Sequence, residues 1–209
     1  MSTAPRLYHA PRTCSLAVRI AAQEGGVPLD IVPVDLGTHT LDDGTSFLEI
    51  NPLGQVSVIR LPDGTLITET SACLVWAQSQ SEDTRFRRDP PDSEFFQMLR
   101  WIGFCATELH KQLFRVVFYS EASTDVKDRF RSLVPDRLML LETHLSDRAF
   151  LLGDRLSAAD CYLAWALTLT DKAGIDITPY ASLCSARDRL WERPSIRRLM
   201  EEDRVAAVM

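Results

Sequence analysis

An α/β domain followed by an all-helical one is the fold that this 209-residue sequence predicts. Three observations carry it. Six of the nine glycines and six of the eleven prolines lie before residue 65, so the first third is cut into short elements. From Ser93 onward the apolar patterns are long and helical. Between the two regimes, residues 81–92 are charged and contain Pro90-Pro91, the composition of a linker. The expected organisation is therefore an N-terminal domain over 1–80, a linker over 81–92 and a helical domain over 93–209.

The early elements follow from their own residues. Leu7-Tyr8-His9 reads as a short strand broken by Pro11. Residues 14–24 carry Leu16, Val18, Ile20 and Ala21 at helical spacing and stop at Gly25-Gly26. Ile31-Val32-Pro33-Val34 is a second strand whose proline suggests a sheet edge. A short helix is expected around Phe47-Leu48-Glu49-Ile50. Val56-Ser57-Val58-Ile59 and Thr65-Leu66-Ile67 flank the turn Leu61-Pro62-Asp63-Gly64, a hairpin signal. A helix then starts near Thr70. Strand–helix–strand implies a parallel pair with a right-handed crossover, and the hairpin adds an antiparallel pair. In the second half, Ser157-Ala158-Ala159-Asp160 has the form of a capping box, flanked by Leu156 and Cys161 as a hydrophobic staple.

Composition narrows the function classes. With 23 Lys plus Arg against 29 Asp plus Glu, the net charge is −6, which disfavours a nucleic-acid partner. No apolar run approaches the roughly 18 residues of a transmembrane helix. The opening residues lack the apolar core of a signal peptide, so a cytoplasmic location is expected. Surface scaling buries about 70% of the unfolded chain's area at this size, enough for a core without staples. The five cysteines are an odd set with no C-x-x-C pair, giving neither a disulfide framework nor a zinc spacing. Cys73, Cys105 and Cys161 sit among apolar neighbours and read as core residues.

Three fragments carry candidate chemistry. Cys14 follows Pro11-Arg12-Thr13 at a helix start, where unpaired N–H groups and a partial positive charge favour a thiolate, its own or a ligand's. A half-buried structural cysteine explains the fragment equally well. Ile67-Thr68-Glu69-Thr70-Ser71 leads into a helix and is either a simple N-cap or a carboxylate site. Ala106-Thr107-Glu108-Leu109-His110-Lys111 interrupts an apolar helix. At α-helical spacing Gly103, Thr107 and His110 share one face.

In family order, these fragments resemble the cytosolic glutathione S-transferases, most closely the bacterial beta class. The matching segments are Leu7 to Leu16, Asn51-Pro52-Leu53-Gly54-Gln55-Val56, Leu61 to Glu69, Ala106 to Lys111 and Leu156 to Leu163. The resemblance implies the glutathione transferase fold, with a thioredoxin-like N-terminal domain, an all-helical C-terminal domain and a homodimer. It implies glutathione as co-substrate, with no permanently bound cofactor and no metal. Cys14 takes the place beside the glutathione sulfur. His39 stands for a basic residue at the glycine end, and Val56 supplies backbone hydrogen bonds to the cysteinyl portion. Glu69 and Thr70 hold the γ-glutamyl end. Thr107, Glu108 and His110 match the helix segment near the sulfur and the subunit boundary, Glu108 reaching the neighbour's γ-glutamyl ammonium. His110 and Cys14 are the catalytic candidates; Asp160 is structural. The electrophile's subsite falls on positions such as those around Arg115–Tyr119.

Three positions depart from the family pattern. Val56-Ser57 replaces a cis Val-Pro, Gly103 replaces an Asn near the sulfur, and His9 replaces a Tyr. A non-proline cis bond costs about 2.5–4 kcal/mol, against about 0.5–1 for X-Pro, so a trans Val56–Ser57 bond is expected. The leading expectation is a detoxifying transferase that activates glutathione against small hydrophobic electrophiles. A monothiol disulfide or peroxide reductase using Cys14 comes second. A non-enzymatic glutathione-binding or regulatory protein of the same fold comes third.

Overall fold

A computed structural model of the chain describes residues 4–118 and 121–207. It divides into two compact units: residues up to Arg88 together with those from Pro194 on, and residues Asp89–Arg193.

The first unit is built on a five-stranded sheet. Its elements are β1 (Arg6–His9), α1 (Ser15–Glu24), β2 (Asp30–Asp35), β3 (Thr40–Leu41), β4 (Val58–Arg60), β5 (Leu66–Thr68) and α2 (Thr70–Ser79), with a 3-10 turn at Phe47–Glu49. The strand order is β3-β2-β1-β4-β5. β1 and β2 are parallel, as a strand–helix–strand unit requires, and the remaining pairs are antiparallel. Leu7 sits in register with Ile31 and Ile59, and Tyr8 with Val32 and Val58. The period of two separates their side chains onto opposite faces. Tyr8 and Val58 join Val34, Phe47 and Ile50 in one buried cluster. α1 packs against α2 through small and branched residues, among them Ala17, Val18, Ile20 and Ala21 on one side and Cys73, Leu74 and Ala77 on the other. The C-terminal helix (Pro194–Ala206) also packs on α1, burying Ile196 and Leu199.

Two expectations are corrected here. β2 is not an edge strand: the two-residue β3 pairs with Val34 and Asp35, leaving Pro33 beyond its end. The expected boundaries at 80 and 93 also shift. Ser81 donates to the Gly25 carbonyl at 2.8 Å, Gln78 donates to the Phe86 carbonyl, and Phe86 is buried. Residues 81–88 therefore fold with the first unit, as does the last helix.

The second unit is helical, with α3 (Ser93–Phe104), a π-helix at Cys105–Arg115, α4 (Val116–Phe118), α5 (Thr124–Arg131), α6 (Val134–Leu145), α7 (Ala158–Leu167), α8 (Thr170–Ala173) and α9 (Ala181–Trp191). Asp92 caps α3 by accepting the Glu94 N–H at 2.9 Å. The carboxylate of Glu142 on α6 caps α9, accepting from Ser182 N and Leu183 N at 3.0 and 2.9 Å. All ten residues of α7 are buried, which is why its sequence is apolar all round. Among the described residues no helix is long and apolar enough to cross a membrane.

The capping box forms at the start of α7. Asp160 accepts from Ser157 N at 2.9 Å, Ser157 Oγ at 2.7 Å and Leu151 N at 2.7 Å. Leu156 and Cys161 are both buried beside it. Burial pushes the Asp160 carboxyl up to about 6, against the downward pull of those three hydrogen bonds. Between the unfolded value near 4 and about 6, the folded state then holds the extra proton, so rising pH lowers stability across that window. We expect the stability of the native chain, referenced to Asp160→Asn, to fall by on the order of 1–3 kcal/mol from pH 4 to pH 6. Urea unfolding at several pH values measures it; a flat difference would contradict the assignment.

Candidate functional site

The β1–α1 turn is organised around one carboxylate from the C-terminal helix. Arg12 has φ 61, the left-handed region that non-glycine residues rarely adopt. Its N–H donates to Asp203 Oδ2 at 2.8 Å. Asp203 Oδ1 lies 3.3 Å from His9 Nε2, and His9 Nδ1 is 2.7 Å from Ser15 Oγ. Thr13 Oγ1 donates to the Ala10 carbonyl at 2.7 Å and is 2.7 Å from Ser15 Oγ. His9, Ser15 and Asp203 are all buried. Residues on both sides of Cys14 are thus tied down, and Cys14 is held as the N-cap residue of α1.

Three groups from elsewhere in the same unit gather at Cys14. Its Sγ donates to the Val56 carbonyl at 3.4 Å and accepts from Thr70 Oγ1 at 3.0 Å. Thr70 Oγ1 is in turn 3.2 Å from Ser57 Oγ. Burial pushes the Cys73 thiol on α2 up to about 12, and nearby Cys14 and Glu69 act in the same direction, so it stays protonated. The sequence expectation for Thr70 needs refinement. Glu69, exposed and at φ 68, is the N-cap residue, and Thr70 is the first helical residue with its hydroxyl turned inward to the sulfur. The first-turn N–H groups of α2 lack intrahelical partners, as at any helix start.

The Val56–Ser57 peptide is cis, correcting the expected trans bond. Ser57 is buried and its hydroxyl meets Thr70, so tertiary surroundings override the local preference. The same loop explains Gly54. At φ 61 it lies under the ring of His39, where an added Cβ would stand 2.6 Å from His39 Cε1. His39 is itself at φ 55, and its buried Nδ1 has no hydrogen-bond partner among the described residues.

The candidates of the helical unit separate from one another. The turn of a π-helix, closed by i→i+5 hydrogen bonds, is wider than that of an α-helix, so residues seven apart no longer share a face. Thr107 is exposed and donates to the Gly103 carbonyl at 3.0 Å. His110 instead faces Tyr162 and Trp165: Nδ1 is 2.9 Å from the Tyr162 hydroxyl, and the Trp165 ring centroid is 4.8 Å away. The expected shared face of Gly103, Thr107 and His110 is therefore not formed. Burial, with Lys111 and Arg115 nearby, lowers the His110 pKa to about 4, so the ring is neutral at pH 7. Glu108 is engaged within its own unit, accepting from Arg137 Nη2 at 2.8 Å and Gln112 Nε2 at 3.1 Å. Of the positions expected around the electrophile, Tyr119 lies outside the described residues. Among the described residues no three His, Cys, Asp or Glu side chains gather to hold a metal ion.

Four participants escaped the sequence reading. Asp203 reaches Arg12 across 191 positions, and Arg137 reaches Glu108 across 29. No local pattern marks either. Tyr162 lies within a matched segment but reads there as a core aromatic. Ser57 was visible only as a missing proline; a hydroxyl placed immediately before a strand gives no hint of its partner.

The comparisons agree with this geometry. Residues 12–80 match the N-terminal domain of glutathione S-transferase and residues 124–192 match its C-terminal domain. The chain is 28% identical over 192 residues to glutathione S-transferase GstA of Escherichia coli O157:H7, covering 92% of this chain and 95% of that one. The structure of a bacterial beta-class glutathione S-transferase from Sphingomonas chungbukensis is 32% identical, with a TM-score of 0.87 over 95% of this chain and 98% of that chain. A sphingomonad glutathione S-transferase solved with glutathione is 28% identical, with a TM-score of 0.89 over 96% of this chain and 99% of that chain. A thioredoxin-like sheet domain joined to a helical one, with a cysteine at the first helix, defines the class as a glutathione transferase. The chain belongs to the glutathione S-transferase family, and its structural relatives include beta-class members.

Asp203→Ala leaves the Arg12 N–H without its acceptor beside a left-handed residue. We expect a loss of about 1–3 kcal/mol in urea unfolding, and a smaller loss for Asp203→Asn, which keeps an acceptor. Equal stability of Asp203→Ala and the native chain would show that the turn holds without this carboxylate. For His110 the expectation is one of sign. Because its folded pKa lies below the unfolded value of 6.5, its contribution to stability is lost as pH falls from 6.5 towards 4, so the native chain referenced to His110→Gln should lose stability over that range in urea unfolding.

Proposed function

We propose that this transferase binds glutathione in its N-terminal unit beside Cys14 and activates the thiol for attack on small hydrophobic electrophiles. The observation that carries the reading is that the Val56 carbonyl and the Thr70 hydroxyl both meet the Cys14 sulfur at the start of α1. A free thiol is mostly protonated at pH 7, and the field of a helix start together with a hydroxyl donor favours its anion. Holding that anion near the electrophile supplies the rest of the acceleration. The first-turn N–H groups of α2, with Glu69 beside them, suit the carboxylate and ammonium of a γ-glutamyl group. His39 serves the glycine end. His110, Thr107 and Glu108 enter through the family resemblance: His110 as a neutral hydrogen-bond donor, and Glu108 at the boundary of a homodimer. The biological role would be detoxification.

A second reading is favoured by the Thr70 hydroxyl resting on Cys14 itself. In that cycle the Cys14 thiolate attacks a glutathione mixed disulfide, forms a Cys14–glutathione disulfide and expels the other thiolate. A second glutathione thiolate then attacks it, releasing glutathione disulfide and restoring Cys14.

Calorimetry with glutathione, and turnover of a chlorodinitrobenzene and of a glutathione mixed disulfide, test both readings. Glu69→Gln should weaken glutathione binding by about 1–3 kcal/mol, because it removes the charge set against the γ-glutamyl ammonium. Cys14→Ala should reduce conjugation only modestly while abolishing disulfide reduction. Absence of glutathione binding at millimolar concentration would overturn the transferase reading, and full reductase activity in Cys14→Ala would remove the second. Sedimentation of a glutathione-binding monomer at micromolar concentration would contradict the homodimer.

A further inference from the structure

The loop before β4 contains a hydroxyl where the resembled family carries a proline, and that hydroxyl is not idle. Ser57 Oγ is 3.2 Å from Thr70 Oγ1, which is 3.0 Å from Cys14 Sγ. Ser57, Thr70 and Cys14 are 2, 7 and 6% exposed, so water competes weakly for these contacts. We propose that Ser57 and Thr70 form a hydroxyl relay that sets how readily Cys14 ionises. Thr70 touches the sulfur; Ser57 is a positioning residue that acts through Thr70. This deepens the functional reading above and rests on it only in taking Cys14 as the working sulfur.

Proton counting gives the relay its direction. A hydroxyl has one hydrogen to donate. The Cys14 thiol, while protonated, directs its own hydrogen to the Val56 carbonyl at 3.4 Å. Thr70 spends its hydrogen on Sγ, and its oxygen is then free to accept from Ser57. When Cys14 ionises, the hydrogen facing Val56 leaves and that carbonyl opposes the anion. The Thr70 donor then strengthens, because hydrogen bonds to a charged acceptor exceed those to a neutral one. Ser57 polarises Thr70 in the same sense, since donors in a chain reinforce one another.

Other charges bear on the same sulfur. On its own turn, the start of α1 favours the thiolate, and Arg12 adds an exposed positive charge two residues earlier. From α2, Glu69 disfavours it, and Cys73 is protonated and neutral. From the C-terminal helix, Asp203 takes the Arg12 N–H and stands beside His9. The loop holding Val56 and Ser57 contributes the carbonyl and the hydroxyl. None of these charged groups is altered by substitutions at Ser57 or Thr70, so a change in Cys14 titration reports the relay.

The test is an ultraviolet thiolate titration of the full-length protein without glutathione, each background referenced to its own Cys14→Ser variant so that the other four cysteines cancel. Thr70→Val should raise the Cys14 midpoint by about one pH unit, as for loss of a donor to a buried anion. Ser57→Ala should raise it by about half as much, and Ser57→Thr should restore it. Ser57→Pro removes the same hydroxyl with the residue that relatives carry, and it covers the case in which Ser57→Ala does not fold. An unchanged midpoint in whichever of the two folds removes Ser57 from the relay and overturns the proposal. So does an unchanged midpoint in Thr70→Val. Because no glutathione is present, failure here is distinct from failure to bind glutathione, which calorimetry on the unmodified protein reports.

Discussion

The turn between β1 and α1 must bring Cys14 to the start of a helix, and it does so through a residue, Arg12, in a backbone region that costs a non-glycine residue free energy. The bond from Arg12 N–H to Asp203 supports that conformation, since a partly buried N–H without an acceptor would add its own penalty. His9, Ser15 and Thr13 complete the fastening from the other side of the turn. The consequence reaches beyond the turn. The last helix, far away in sequence, belongs to the same compact unit as the sheet, and it carries the anchor for the turn before the cysteine. Truncating it would remove Ile196 and Leu199, uncover the α1 surface they pack on and release Arg12 together.

Around that anchored sulfur, two helix starts perform different tasks. α1 presents its first turn to Cys14. α2 has Glu69, at another positive φ, as its N-cap residue, which turns Thr70 inward and leaves Glu69 exposed. A residue with ordinary φ at 69 would send the chain into α2 along a different path and carry the Thr70 hydroxyl off the sulfur. Backbone strain at Arg12 and Glu69 therefore flanks the cysteine from two directions, a pattern expected where surroundings hold a site against local preference.

How far the sequence revealed this differs by kind of evidence. Gly25-Gly26, the hairpin turn and the capping box of α7 were legible because each is written in adjacent residues. Cys14, Glu69 and Thr70 were legible as helix starts and became a site only through the family pattern. Three things were illegible for physical reasons. The π-helix has no strong signature, and reading it with α-helical spacing put Thr107 and His110 on one face when the wider turn divides them. The Val56–Ser57 geometry depends on surroundings that the dipeptide does not encode. Asp203 and Arg137 act across long sequence separations, and a surface-type charge in an amphipathic helix gives no sign of being an anchor.

The helical unit carries a further consequence of burying polar groups. Asp160, drawn up to about 6 by burial, makes folding less favourable as pH rises from about 4, whereas His110, drawn down to about 4, makes it less favourable as pH falls from 6.5. Their windows overlap almost completely and their slopes have opposite sign. In the unsubstituted protein the two terms largely cancel between pH 4 and 6, so a flat stability profile there would not mean that either group titrates normally. Each is revealed only when the other is made neutral. The reasons for burying them are different as well. Asp160 closes the start of a helix whose ten residues are all buried, so its first turn is capped by protein groups. His110 fills an aromatic niche between Tyr162 and Trp165, where a neutral imidazole still has one nitrogen able to donate and one able to accept. The structural group and the catalytic candidate share a unit and a pH window, but the second ring nitrogen of His110 has no hydrogen-bond partner among the described residues once Nδ1 meets Tyr162.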